Sequence, residues 1–568
     1  MEPSWAGPGE RSQTILTGPP APERFLSLEE IVRPSGAGNR GITFLDGASR
    51  LEMSYADLAG RTTHAAARLR QCGVAPGALV AMTLRNDLES VLALLATWAC
   101  GGTVVSLPPV PRKDNGWHAR QFDPVLAAMG CTFRVSGTAA DMESARPGQH
   151  TIARHELAAP VSGRGALPDV TVPDTALIQF TSGSVSTPKG LAIGARTLAG
   201  HARAVIDALQ LSEADTCAYW LPLYHDMGLV VMFLCALTAR MDQVVASPSS
   251  FAMNPASWLT MLATERATVT AAPNFAFRLA AAVPYRDQLD LSLMRVILNG
   301  GERVVWQTLL DFQATAGPMG CAWEALSPCY GLAEGTVGVT TTRPGRGPQR
   351  GSGGYVSAGP PLPGVQLRVP EGSRPGSVEM RGDWCLSGYY TSRGFEPVAA
   401  GEWFDTADGG FAHDGELHVL GRRNEVLSMA GHNVFAEDVE SVIHEACGQS
   451  VRACAAFRRE GDTSRFAVMA EVNPRLVRGP DAAHELARLI QVSVNETVGT
   501  RLSPVLVTRL GSIPRTSSGK VQRAKCRSLF QNGQINRRLI AELALSTTVL
   551  PGEGGHSADD STSGRSGR

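Results

Sequence analysis

Two textures of apolar and polar positions alternate along the chain. From residue 79, short apolar runs of strand length flank a longer apolar stretch of helical length. Leu79–Leu84 predicts a strand, Leu88–Cys100 a buried helix and Thr103–Leu107 a second strand, with Gly and Pro supplying the breaks. The same alternation through Ala176–Phe180, the apolar run after Gly228, Gln243–Ala246 and Arg295–Leu298 predicts parallel sheets covered by helices. From about Gly351 the texture changes to short strands, Val365–Val369 and Ser377–Met380, between Gly/Pro turns, which predicts a β-rich subdomain. A polar turn at Gly421–Asn424 follows the predicted strand Glu416–Leu420. After it a fresh pattern, with a strand at Phe466–Val472 and a helix at Ala482–Val498, predicts a separate unit of ordinary domain size. The predicted fold class is therefore α/β. Residues 23–423 form a large domain of parallel α/β sheets with its β-rich subdomain, and residues 424–545 form a small α+β domain. Residues 1–22 and the Gly/Ser/Asp-rich 546–568 are expected to be disordered.

Composition narrows the partners. At 568 residues the chain exceeds one ordinary core, and 43% hydrophobic with 18% charged residues excludes a mainly disordered or fibrous protein. Lys and Arg number 52 against 53 Asp and Glu, so no bulk field favours a nucleic acid polymer or an acidic membrane, and small ligands become the expectation. The 11 cysteines show no C-x-x-C pair and no zinc-ligand spacing, which suits reduced core residues of a cytoplasmic protein. Met1–Pro22 lacks the apolar stretch of a signal peptide. Ser90–Pro111 is uncharged enough to imitate a membrane span, but Gly101-Gly102 and Pro108-Pro109 make it a helix, turn and strand.

Chemistry first shows itself at Thr181-Ser-Gly-Ser-Val-Ser-Thr-Pro-Lys-Gly190, directly after the strand Ala176–Phe180. Small hydroxyl residues beside Gly expose N–H and O–H donors to anionic oxygens, and Lys189 adds a full charge, so the loop suits polyphosphate. It is no Walker loop, because Pro188 precedes the lysine and Gly190 follows it; Gly519-Lys520-Val521 fails the same test. Alone, such a loop is an ordinary connection.

Further segments follow in a fixed order: Trp220-Leu-Pro-Leu-Tyr-His-Asp-Met-Gly228, Asn299-Gly-Gly-Glu302, Tyr330-Gly-Leu-Ala-Glu334, Thr406-Ala-Asp408, Gly421-Arg422 and Pro514-Arg-Thr-Ser-Ser-Gly-Lys520. With them the sequence resembles the adenylate-forming superfamily from about Phe25 to Phe530. Its motifs look most like those of fatty acyl-AMP ligases and acyl-CoA synthetases. The resemblance implies ATP and Mg²⁺ as cofactors. Thr181, Ser182, Gly183, Ser184, Thr187 and Lys189 would hold phosphates. Tyr330 and Gly331, with the Gly300-Gly301-Glu302 backbone, would receive adenine. Asp408 and Arg422 would take the ribose or phosphate, and Glu334 with Thr181 would hold the metal. Lys520, Glu334 and His225 would be the catalytic groups, and Asn424, within Arg423–Glu425, the hinge of a mobile C-terminal domain. Ala271, Ala272, Asn274, Ala276 and Gly335 would leave room for an acyl chain. In isolation each of these residues reads as core, turn or solvated surface; their shared order gives them roles.

Three departures stand out. Val185 replaces a usual hydroxyl residue, Ala407 stands where the family commonly has Gly, and only Gly335–Val356 separates Glu334 from Ser357-Ala-Gly359, so an extra segment typical of fatty acyl-AMP ligases looks absent or shortened. The His225-Asp226 pair suggests a hydrolase as well, but no G-x-S-x-G elbow accompanies it. His201, His225 and His432 match no metal-binding spacing. The resemblance implies an enzyme that joins a carboxylic acid to ATP and passes the acyl group to a phosphopantetheine thiol, of an acyl carrier protein or alternatively of CoA. A non-catalytic acyl-nucleotide binder is the reading from another class, and Glu334, Asp408, Arg422 and Lys520 argue against it.

Overall fold

The βαβ unit is formed. Strands Leu79–Met82 and Thr103–Ser106 pair in parallel on either side of the helix Leu88–Ala99 in sequence. Asp87 caps that helix by accepting the Ser90 N–H (2.8 Å), and nearly every helical side chain is buried, as a continuous apolar run requires. The computed structural model describes residues 13–33, 38–110, 116–137, 148–159, 173–180, 188–285, 288–371, 375–429, 432–459, 462–516 and 519–544.

Among these residues two eight-stranded sheets form the large domain. In one, Thr175–Phe180, Thr103–Ser106, Leu79–Met82, Phe133–Ser136 and His150–Ala153 run parallel, and Gly190–Gly194 closes antiparallel on Thr175–Phe180. In the other, the parallel strands include Thr216–Tyr219, Val269–Ala272, Val296–Asn299 and Leu326–Gly331, with antiparallel pairs at both ends. The expected parallel sheets are thus mixed at their edges. The apolar run after Gly228 is a π-helix, Met227–Leu234, buried throughout and continued by the α-helix Cys235–Ala239.

The β-rich subdomain is a five-stranded antiparallel sheet of Gln13–Thr17, Val365–Pro370, Gly376–Gly382, Phe404–His413 and Glu416–Arg422. Its edge corrects the expectation of disorder for residues 13–17, while residues 1–12 lie outside the described residues. Gln13–Thr17 pairs along Val365–Pro370 and turns Leu16 into the core, an extended segment whose main-chain bonds are satisfied by its neighbour. The expected tail 546–568 lies outside the described residues.

After the short 3₁₀ turn Arg423–Glu425 a second body begins. Val451–Arg459, Asp462–Val472, Val505–Thr508 and Leu539–Leu543 make a four-stranded sheet, packed by the helices Ala436–Cys447, Gly479–Val498 and Arg523–Gln531. Its apolar clusters are separate from the main core. No helix of the described residues is long and apolar enough to cross a membrane.

Candidate active site

A cleft of about 1730 Å³ lies between the large domain and the C-terminal body, where the parallel strands Thr175–Phe180, Val296–Asn299 and Leu326–Gly331 end. Carboxyl ends of parallel strands are where α/β sheets leave a crevice.

Glycine shapes the strand ends at one wall, where Gly301 lines the cleft and Gly300 stands behind it without lining it. A Cβ on Gly300 would stand 2.4 Å from Cys329 Sγ, so only glycine lets these two strand ends close up. Gly301 follows with φ +80°, and a Cβ there would lie 3.6 Å from Lys520 Nζ. Opposite, Tyr330 donates its O–H to Asp408 Oδ2 (2.7 Å), while Arg422 Nε stands 3.1 Å from Asp408 Oδ1 and its Nη1 donates to Thr406 O (2.9 Å). Burial pushes the Asp408 carboxyl up and Arg422 pulls it back; burial also holds the Tyr330 phenol well above its ordinary range. Ala407, between Thr406 and Asp408, has φ +60°, which explains why glycine suits this position.

Glu334 sits on the 3₁₀ turn Ala333–Gly335 and lines the cleft, and burial raises its carboxyl. Its carbonyl accepts the Leu386 N–H (2.9 Å). His225 Nδ1 and Asp226 Oδ1 are 2.6 Å apart, at the entry to the π-helix, and Asp226 also accepts the Met227 N–H (2.7 Å). Burial would push the Asp226 carboxyl up, but His225 and Lys520 overcome it and hold it below the carboxylate range. Glu302 lines the cleft, and its half-buried carboxylate accepts the Phe275 N–H and secures the start of helix Asn274–Ala281.

Lys520 enters from the C-terminal body. Its loop is closed by Thr516 N–H to Lys520 O (2.8 Å) and Lys520 N–H to Thr516 Oγ1 (3.0 Å). Across the junction Arg303 Nη1 donates to Asp438 Oδ1 (2.6 Å) and to Leu420 O (3.1 Å), tying the bodies together. Asn424 also lines the cleft.

Lys520, Glu334, His225, Gly301, Glu302, Tyr330, Gly331, Asp408 and Asn424 therefore line one cleft together with Arg422. Thr181, Ser182, Gly183, Ser184, Val185 and Thr187 lie outside the described residues. Lys189 does not line the cleft; its ammonium lies 5.2 Å from the centre of the Tyr389 ring. Of the residues expected to shape an acyl pocket only Asn274 lines the cleft. Ala271, Ala272 and Ala276 are wholly buried, and a Cβ on Gly335 would meet Met380 Cε at 2.8 Å, so these four are close packing within the core. The apolar wall is instead made by Val205, Leu209, Val231, Leu298, Val337 and Leu362. No sequence motif marks them. Among the described residues no group of three or more His, Cys, Asp or Glu could hold a metal by itself.

A family model described as AMP-binding enzyme matches residues 35–395. The chain is similar to the long-chain-fatty-acid–AMP ligase FadD28 of Mycobacterium tuberculosis, at 29% identity over 86% of this chain and 93% of that protein. It is also similar to the medium-chain-fatty-acid–[acyl-carrier-protein] ligase JamA of Moorena producens, at 27% identity over 80% of this chain and 85% of that one. A solved structure from work on fatty acyl-adenylate ligases of E. coli and L. pneumophila superposes with TM-score 0.79 at 25% identity, covering 90% of this chain and 98% of its own.

Proposed function

Because the chain belongs to the AMP-binding enzyme family, we propose that it activates a carboxylic acid, fatty or related, with ATP and transfers the acyl group to the phosphopantetheine thiol of an acyl carrier protein. The observation that carries this reading is the position of Lys520: a lysine from the C-terminal body reaches Gly301 and the field of Asp226, in the same cleft as Tyr330, Asp408 and Arg422.

In this reading the acid's carboxylate oxygen attacks the α-phosphorus of ATP. A new O–P bond forms and the bond to pyrophosphate breaks. Lys520 offsets the negative charge gathering there, the kind of preorganised contact that matters most in a site partly closed to water. Tyr330 and Gly301, backed by Gly300, receive adenine, Asp408 accepts from the ribose hydroxyls, and Arg422 holds Asp408 and faces the sugar or phosphate. The apolar wall from Val205 to Leu362 receives the acyl chain. In the second step the thiol sulfur attacks the acyl carbon, its proton passes to solvent, and AMP leaves.

The single carboxylate of Glu334 fits Mg²⁺ better than a metal needing a protein cage, since Mg²⁺ takes one or two carboxylates, phosphate oxygens and retained waters. When bound, the ion neutralises phosphate charge.

The test is incubation with ATP, Mg²⁺ and a panel of acids, with mass spectrometry for acyl-AMP, followed by addition of carrier protein or CoA. Acyl-AMP with at least one acid and a thioester on the carrier protein support the reading. A thioester on CoA alone replaces the acceptor, and no acyl-AMP with any acid refutes the reading.

A further inference from the structure

Two ion pairs bracket the turn that joins the bodies. Before Asn424, Arg423 pairs with Asp405 of the large domain. After it, Glu425 pairs with Arg523, which stands three residues beyond Lys520. Arg523 is committed further. Its Nε and Nη2 take both oxygens of Glu440 at 2.7 Å each, and its Nη1 also reaches Glu437 Oε1 at 2.7 Å. The Asn424 side chain makes no hydrogen bond among the described residues.

We propose that Arg523 is a positioning residue, which joins Glu425 and the Lys520 loop into one rigid piece and leaves Asn424 as the pivot between Arg423, held by the large domain, and Glu425, held by the C-terminal body. The proposal rests on the reading in which Lys520 enters for the first step and withdraws for the second. All three carboxylates and the guanidinium are shielded from water, at 14–22% side-chain exposure, so the pairs are screened far less than a surface pair. The planar fork of arginine fills Glu440 with two parallel bonds and spends its remaining nitrogen on Glu425 and Glu437, an arrangement that the point charge of lysine does not reproduce. Any swing of the body about Asn424 is then carried to Lys520 without slack. That matters because catalytic groups misplaced by about 1 Å lose on the order of 10²-fold in rate.

Glu425→Ala is the decisive variant, because Arg523 keeps Glu437 and Glu440 and the fold keeps its buried charges paired. Arg523→Lys is the second. In the full-length chain three quantities are measured: acyl-AMP formation, transfer to the thiol acceptor from supplied acyl-AMP, and labelling of Lys520 by an amine-acylating reagent, read by peptide mass spectrometry. For both variants the expected result is a fall of about tenfold or more in kcat of acyl-AMP formation, with the KM for ATP and the transfer step within about twofold of the parent. Lys520 labelling rises several-fold, and the melting midpoint of Glu425→Ala is unchanged. Unaltered adenylation and labelling overturn the proposal, as does an equal loss in both half-reactions with a lowered melting midpoint. If the parent makes no acyl-AMP with any acid, the functional reading fails by itself and the labelling result alone decides the role of Arg523.

Discussion

Tyr330 and Asp408, far apart in sequence, meet through one hydrogen bond of 2.7 Å in which the phenol donates to the carboxylate. The bond joins the end of the strand Leu326–Gly331 to the antiparallel subdomain and fixes both walls of the proposed nucleoside site. Tyr330→Phe keeps the ring but removes the donor. The loss is about 1 kcal/mol, so the apparent KM for ATP should rise about fivefold with the acid unaffected. Steady-state kinetics with ATP varied at saturating acid checks this, and an unchanged KM would separate the pair from nucleotide binding.

His201 should impose a pH dependence on stability. It is fully buried, its Nε2 accepts the Gly338 N–H (3.1 Å), and burial holds its pKa down to about 4 from 6.5. The folded form thus binds fewer protons than the unfolded form between these values. Its contribution is complete above about pH 6.5 and is lost as the pH falls towards 4, by on the order of 3 kcal/mol. His201→Gln does not titrate. Urea midpoints at pH 7.5 and 5 should therefore fall less for the variant than for the parent; parallel falls would contradict the assignment.

Ala407 adopts φ +60° beside Asp408, a conformation that costs an L-residue about 1 kcal/mol. Ala407→Gly should raise stability by up to about 1 kcal/mol, partly offset by the greater freedom of glycine when unfolded. The denaturant midpoint should increase and the KM for ATP should not worsen. A lower midpoint would mean that the alanine methyl packs usefully against the cleft.

The central strands were legible because a strand buried on both faces is a continuous apolar run, and Leu79–Met82 and Thr103–Ser106 are that. The apolar run after Gly228 was legible as a buried element of that alternation but its π-helical period was not, since a fully buried helix has no polar face to reveal it. Gln13–Thr17 was hidden because its partner strand lies about 350 residues later, in the pairing Gln13↔Pro370. In the site, Tyr330, Asp408 and Lys520 stood out through ordered motifs with polar residues and glycine. The apolar wall of Val205, Leu209 and Leu362 did not, because a pocket-lining aliphatic residue has the same local pattern as a core one. Glu302 shows the converse: a motif residue that belongs to the framework, holding the Phe275 N–H.

The most direct test of the account is Lys520→Ala assayed in the two half-reactions separately. Acyl-AMP formation from acid and ATP should fall roughly 10²–10³-fold, the loss of about 3–4 kcal/mol of transition-state stabilisation. Conversion of supplied acyl-AMP to thioester by the same variant should stay near the parent rate. Near-normal acyl-AMP formation would remove Lys520 from the first step and contradict the account.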